Sequence, residues 1–373
     1  MVWRRLRNIY RRPVPAEDLP RRLKIILDGR EYIYRRVDLE DEKLKLRYGS
    51  NPHQPAAIYV PENLPRNFSN IKILKYAKGG LSSTNLEDGY RAMRIVSYFK
   101  DVSAVAIMKH LNPSGVAISL FGDESPAEIF EKAWNCDPRA AYGCTVGFNV
   151  EVDGEVAEEI VKSGKYVECI FAPSYSNSAL KKFNEKKSLR LVQSPLIDLP
   201  TINETPPSHF PYEIRVFGDI LLFEKPFYTK IKCLEDLEKL GEQGLGVVTE
   251  RKPTRDEMID LLHAWWICCE KRSNGIVLWR RDRTLAIGLG QQDRIGAIEV
   301  ALYRARLFGH SLEGSVAASD GFMLEDNVKP LAEAGVKAII QPGGSVFDAK
   351  IIKKCDEYDI AMIFTGERVF RHF

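Results

Sequence analysis

Between residues 102 and 193 short apolar runs alternate with stretches in which apolar positions recur at helical spacing. The pattern predicts strands at 102–108, 144–149, 167–171 and 189–192 and helices at 126–135, 154–163 and 176–185. A second alternation begins near Pro253, where Thr254 caps a helix reaching about Lys271. Strands at 275–280 and 284–288, a helix at 294–307, a strand at 315–318 and a helix at 326–334 follow. A strand at 337–341, a helix at 347–356 and a strand at 359–364 complete it. Strands interleaved with helices of this length argue for an α/β fold. The expected organisation is an N-terminal arm (1–42), a first α/β unit (43–246) that includes a proline-rich irregular crossing over 194–212, and a second α/β unit (247–373). The helix carrying His263, Trp265, Trp266, Cys268 and Cys269 is apolar all round, which suits burial in a core or between subunits.

The stretch Val105-Ala-Ile-Met-Lys-His-Leu-Asn-Pro-Ser-Gly115 stands out. An apolar run ends on Lys109 and His110, and the next residues, Asn112 to Gly115, are turn formers. A strand that stops on such a pair sets a cation and a proton carrier at a sheet's carboxyl edge, where open α/β sheets bind ligands. The same residues also read as a solvated lysine and a structurally satisfied histidine. Polar loops recur: Leu46–Gln54 with Arg47 and Tyr48, Lys78–Asn85, Arg272–Asn274, Gly288–Arg294, Ser319–Phe322 and the C-terminal Thr365–Phe373. Each alone is an ordinary turn. Most follow predicted strands, and that shared edge makes a composite site plausible.

Composition narrows the classes. A chain of 373 residues is long for a single core, and a net charge of +3 gives no case for nucleic acid. No apolar run is long enough for a membrane span, and the basic start (Arg4, Arg5, Arg7, Arg11, Arg12) lacks the apolar segment of a secretory signal. That arm reads as a solvated tail, an oligomer contact or a weak anion-binding patch. Seven cysteines with no CxxC fit free thiols in a reducing compartment, hence a cytoplasmic protein. The chain has no HExxH, no GxSxG and neither a GxGxxG nor a Walker loop, so zinc, serine-hydrolase and nucleotide fingerprints are all lacking.

Taken together, LRYGSNPHQPAAIY, KGGLSSTN, MKHLNPSG, DPRAAYG, VVTERKPT, RSNGIV, IGLGQQDRI, ASDGF, IIQPGGS and IAMIFTGERVFRH resemble one family in order. It is the formyltransferase part of the bifunctional purine-biosynthesis proteins, which join 5-aminoimidazole-4-carboxamide ribonucleotide (AICAR) formyltransferase to IMP cyclohydrolase. The resemblance covers about residues 43–373 and finds no counterpart of the cyclohydrolase domain, so a stand-alone transformylase served by a separate cyclohydrolase is expected. It implies two tandem cytidine-deaminase-like three-layer α/β/α units without zinc, and a homodimer that contacts neither membrane nor nucleic acid.

The implied reaction moves a formyl group from 10-formyltetrahydrofolate, or a related pterin donor, to the 5-amino group of AICAR. By the resemblance Lys109, His110 and Asn274 are catalytic. Arg47, Tyr48, Asn85, Gly143, Arg368 and Phe370 match nucleotide-binding positions. Arg294, Phe322 and Asp326 match folate-binding ones, and Asp320 matches a residue near a potassium ion. Two departures stand out. The family usually has Ser-Asp-Ala-Phe-Phe-Pro-Phe where this chain has Ser319-Asp-Gly-Phe-Met-Leu-Glu325, and Ser83-Thr84 replace a usual Tyr-Asn. The altered donor loop also motivates a different expectation, a non-catalytic purine-nucleotide sensor or scaffold that has lost donor binding.

Overall fold

The computed structural model describes residues 14–39, 41, 44–77, 79–199 and 209–372. The basic arginines at positions 4–12 and most of the proline-rich crossing lie outside the described residues. In chain order the strands begin with β1 (Arg22–Leu27), β2 (Arg30–Arg36), β3 (Tyr59–Pro61), β4 (Lys72–Lys75), β5 (Ala104–Lys109), β6 (Asn112–Ile118), β7 (Cys144–Phe148), β8 (Val167–Ala172) and β9 (Arg190–Gln193). They continue with β10 (Glu213–Phe217), β11 (Ile220–Glu224), β12 (Gly246–Val247), β13 (Ile276–Arg280), β14 (Arg283–Gly288), β15 (Val316–Ser319), β16 (Ala338–Gln341) and β17 (Ala361–Phe364). The helices are α1 (Ser83–Tyr98), α2 (Pro126–Cys136), α3 (Pro138–Ala141), α4 (Gly154–Lys162), α5 (Asn177–Phe183), α6 (Leu234–Glu238), α7 (Arg255–Cys268), α8 (Arg294–Leu307), α9 (Glu325–Glu333) and α10 (Asp348–Glu357). The chain is mixed α/β, as the alternation predicts.

It forms two compact units, Met1–Ser97 with Gly143–Tyr228, and Tyr98–Tyr142 with Thr229–Phe373. The sequence reading divides the chain consecutively near residue 246. Packing instead interleaves the two halves, and residues 98–142, with Lys109 and His110, join the unit built mainly from the C-terminal part.

In the first unit β7, β8 and β9 run parallel and β4 closes the row antiparallel to β9. β7 is buried throughout, as parallel strands covered by helices are. Helix α1 lies tight against this row because Gly89 leaves room for Phe171, whose ring would be 2.2 Å from an added Cβ. Strands β1, β2 and β3 make a small antiparallel sheet, and β10 and β11 a separate ribbon.

In the second unit the strand order is β12-β17-β16-β15-β13-β14-β6-β5. Only β15, β16 and β17 are parallel neighbours; the other pairs are antiparallel. Gly115 on β6 and Gly288 on β14 let helices α2 and α8 touch the sheet with their backbones. An added Cβ would lie 1.9 Å from Ala133 O and 1.8 Å from Ala297 O, respectively. The apolar helix α7 is core: Trp265 donates to Thr229 Oγ1 (3.0 Å) and Trp266 to Ile231 O (2.9 Å), and both rings are buried.

Two local expectations change. Asn112 to Gly115 are not a turn but the start of β6, since the chain reverses earlier, at His110 and Leu111. The turn-forming composition is overridden by sheet pairing and by the approach of α2 at Gly115. The β10–β11 ribbon is also absent from the predicted elements, and both its faces are largely exposed.

Candidate active site

Strand β5 ends at Lys109, which pairs with Asn112 of β6, so the connection is a two-residue turn made by His110 and Leu111. Both are left-handed, with φ of 51° and 66°. Turns of this hand favour Asn and Gly, and side chains there cost about 1–2 kcal/mol per residue. The basic pair therefore sits at the tip of an antiparallel hairpin, not at the carboxyl edge of a parallel strand. Pro113 is tolerated because the register shifts opposite it, between Ile107 and Met108. The Thr284 hydroxyl bridges β14 to β6, accepting from Val116 N (2.9 Å) and donating to Val116 O (3.2 Å).

The tip is tied to the loop that follows α7, because Arg272 N donates to Asn112 Oδ1 at 3.0 Å. Two residues on, Asn274 is held on every side. Its amide nitrogen donates to Gln291 O (3.1 Å) and Gln292 O (3.2 Å), and its Oδ1 accepts from Arg294 Nη2 (2.9 Å). Gln291 in turn shares the wall of a cavity of about 230 Å³ with Lys109, His110, Asp137 and Arg304. Asp137 and Arg304 form an ion pair there, and Asp137 also accepts from Ala140 N (2.8 Å), capping α3. Cys136 lies alongside, but burial pushes its thiol up to about 12, which keeps it protonated. A half-buried lysine, an exposed imidazole and an amide anchored on the same loop suit stabilisation of an oxyanion beside a proton acceptor.

Asp320, fully buried at the end of β15, is the hub behind Asn274. Its Oδ2 accepts from Lys271 Nζ at 2.7 Å and its Oδ1 from Arg294 Nη1. Burial alone would raise the carboxyl, but the Lys271 and Arg294 charges and the hydrogen bonds from Lys271 and Ser273 outweigh it and hold it below the usual carboxylate range. Arg294 also donates to Gly275 O (3.1 Å). A potassium ion on this carboxylate does not fit the residues present, because both oxygens already carry a cationic side chain. Among the described residues no group of three or more His, Cys, Asp or Glu is placed to hold a metal ion.

The C-terminal segment laces these loops together: Val369 N donates to Asp320 O (3.0 Å), and Ser273 N to Arg371 O (3.1 Å). Two guanidinium groups approach the Phe370 ring, Arg294 at 5.9 Å and Arg368 at 4.7 Å from its centre. The departure at Gly321 has a local reason: a Cβ there would lie 2.6 Å from both Arg294 Nη2 and the Phe370 ring. Phe322 is 47% exposed. Asp326 lines a different cavity, of about 190 Å³, with Phe347 and Lys350, and accepts from Asn327 Nδ2 (2.9 Å). Neither Arg294 nor Phe322 lines that cavity.

Four other predicted residues lie in the first unit. Arg47 is buried, donates to Tyr48 Oη (2.9 Å) and joins the 78–85 loop through its backbone N–H to Leu81 O (2.7 Å). Asn85 caps α1 reciprocally, its Oδ1 accepting from Ser82 N and its own N–H donating to Ser82 Oγ, both at 3.2 Å. Gly143 has φ 75° and donates to Tyr166 O (2.6 Å). Arg190 is missing from the sequence reading. It is fully buried and donates to Gly80 O (2.7 Å). Burial, then the nearby Arg190 charge, lowers the Arg47 guanidinium. Two buried arginines at a helix start suit an anionic group. The signal was present, since a charged residue interrupts the apolar run Leu189-Arg-Leu-Val192.

The family described as AICARFT/IMPCHase bienzyme matches residues 26–304. Relatives named bifunctional purine biosynthesis protein PurH resemble the chain along most of its length. The protein from Anoxybacillus flavithermus is 38% identical over 333 residues, 89% of this chain and 60% of its own length. That from Aquifex aeolicus is 36% identical over 329 residues, 88% and 59% of the two chains. That from Caldicellulosiruptor saccharolyticus is 39% identical over 344 residues, 91% and 61%. The chain thus spans about 60% of the length of these relatives. With a family match over most of its length and relatives sharing more than a third of its residues, the chain belongs to the AICARFT/IMPCHase bienzyme family.

Proposed function

We propose that the protein transfers a formyl group from 10-formyltetrahydrofolate, or a related pterin carrier, to the 5-amino group of AICAR. The supporting observation is the 3.0 Å bond from Arg272 N to Asn112 Oδ1, which keeps the Lys109–His110 tip beside the Asn274 loop in a chain of this family. The amine is a weak nucleophile because its lone pair is delocalised into the imidazole and held by the neighbouring carboxamide. It attacks the formyl carbon, the carbonyl becomes an oxyanion, the amine loses a proton, and the C–N bond to the carrier breaks as that nitrogen gains one.

His110 takes the proton from the amine, directly or through the carboxamide. Lys109 stabilises the oxyanion and protonates the leaving nitrogen. Asn274 hydrogen-bonds the formyl oxygen, for which it gives up one of its bonds to Gln291 O or Gln292 O. Alignment supplies up to roughly 7–11 kcal/mol, a base about 10²–10⁴-fold, and an oxyanion donor about 3 kcal/mol. Arg47, Tyr48, Asn85, Gly143, Arg368 and Phe370 bind the nucleotide in this reading, and Arg294, Phe322 and Asp326 the carrier. We further take the protein to be a cytoplasmic homodimer of cytidine-deaminase-like units. Six buried free thiols support the compartment, and the apolar β10–β11 ribbon supports the dimer. The formylated product still needs a cyclohydrolase to close its ring.

The test incubates the protein with AICAR and 10-formyltetrahydrofolate and follows tetrahydrofolate release. His110→Ala should lower kcat about 10²–10⁴-fold while AICAR affinity stays unchanged. Absence of turnover by the unaltered protein with this donor and with other pterin carriers would overturn the reading. Equal loss of binding and turnover in the variant would make His110 a structural residue.

A further inference from the structure

Helix α7 ends at Cys268, and three residues later Lys271 is turned wholly inward, with no exposure at all. Burying an ammonium is costly unless it is paired with good geometry. Its Nζ lies 2.7 Å from Asp320 Oδ2, itself fully buried. Room for it exists because residue 275 has no side chain. A Cβ on Gly275 would lie 2.2 Å from Lys271 Nζ, 2.4 Å from Cε and 2.7 Å from Cδ. The other Asp320 oxygen holds Arg294, whose Nη2 reaches Asn274 Oδ1 at 2.9 Å. The order Lys271, Asp320, Arg294, Asn274 is therefore one continuous line of charge-assisted bonds ending on the candidate oxyanion donor.

We propose that Lys271 is a tethered monovalent cation, its ammonium filling the place on Asp320 that a potassium ion would take and fixing the Arg294–Asn274 arm without one. An ammonium and a potassium ion carry the same charge and are of similar size, so one substitutes for the other on a carboxylate oxygen. The fully buried carboxylate has a positive neighbour on each oxygen. A lysine on the chain supplies the second permanently, whereas a free ion would have to be recruited. Lys271 touches no proposed substrate atom and acts as a positioning residue. Only its effect on turnover rests on the formyl-transfer reading.

The test compares melting temperatures in potassium, lithium and tetramethylammonium chloride at equal ionic strength, and looks for rubidium by anomalous scattering in crystals. The unaltered protein should melt alike in all three salts and show no rubidium at Asp320. Lys271→Ala should melt roughly 5–10 °C lower in lithium chloride and recover part of that loss in potassium chloride alone. Lys271→Ala with Gly275→Ala, whose new Cβ would lie 2.2 Å from the vacated ammonium position, should lose stability in lithium chloride and show no recovery in potassium chloride. A potassium-selective gain or a rubidium peak at Asp320 in the unaltered protein overturns the inference. So does a Lys271→Ala protein as stable as the parent, or one indifferent to the cation. If neither variant folds in any salt, the unaltered protein's two measurements decide. No readout uses turnover, so an inactive protein leaves this test intact.

Discussion

His263, on α7, stands inside a ring cage, with Phe99, Trp266 and Trp279 centred 5.2, 5.5 and 5.5 Å away. Burial pushes its pKa from 6.5 down to about 4. The folded protein thus keeps it neutral, while the unfolded chain takes up a proton below about pH 6.5. Its contribution is intact above that value and is lost as pH falls through 4, up to roughly 3 kcal/mol in total. His263→Phe fills the cage without a titrating group. Relative to the parent it should gain stability steadily between pH 6.5 and 4, measured by urea unfolding. A pH-independent difference between the two proteins would show that the cage does not exclude the proton. At this scale the sequence named candidate side chains better than what they touch. Lys109, His110 and Asn274 were legible as a set because motifs keep residue types together. Lys271, in a charged run beside Glu270 and Arg272, and Arg190, alone among apolar residues, were not, because a cation reveals its purpose only through the partner that folding brings to it.

Gly115 decides how one element meets another. The carbonyl of Ala133, in α2, would be 1.9 Å from a Cβ at this point on β6, and a helix backbone cannot yield as a flexible side chain does. Gly115→Ala should cost at least about 1–3 kcal/mol, or prevent folding. Chemical denaturation against the parent measures it, and a loss below about 0.5 kcal/mol would mean that α2 is free to shift. Long periodic elements were the most legible: α7 and α8 fall within a few residues of their expected spans, and so do β13 to β17. Pieces whose local composition points elsewhere escaped. β6 reads as a turn because Asn, Pro, Ser and Gly favour turns locally, yet its partners β5 and β14 hold it extended. The reversal falls instead on His110 and Leu111, which no turn rule selects. Such left-handed side chains persist only where surroundings over-determine them, and functional loops are where they cluster.

At the scale of the molecule, the β10–β11 ribbon is an exposed apolar surface among the described residues. Val216, Phe217, Ile220 and Leu221 are 65%, 55%, 63% and 59% exposed, and a lone two-stranded ribbon is marginal in water. The homodimer proposed above gives this surface a cover. Sedimentation velocity should therefore report twice the chain mass at micromolar concentration, and Ile220→Glu should shift the distribution toward monomer. A parent protein that sediments as monomer removes the dimer, and a dimeric Ile220→Glu moves the interface elsewhere.

What the sequence determined by itself was the class of the fold, the order of its long elements and the family, since these depend on periodicity and on runs of neighbouring residues. What only the tertiary structure decided was which distant segments share a unit. It grouped residues 98–142 with the C-terminal part, set the basic pair on a hairpin tip, and hid an ammonium against Asp320. Those outcomes depend on contacts between residues up to about 160 positions apart, such as Asn112 with Arg272, and no local pattern encodes them.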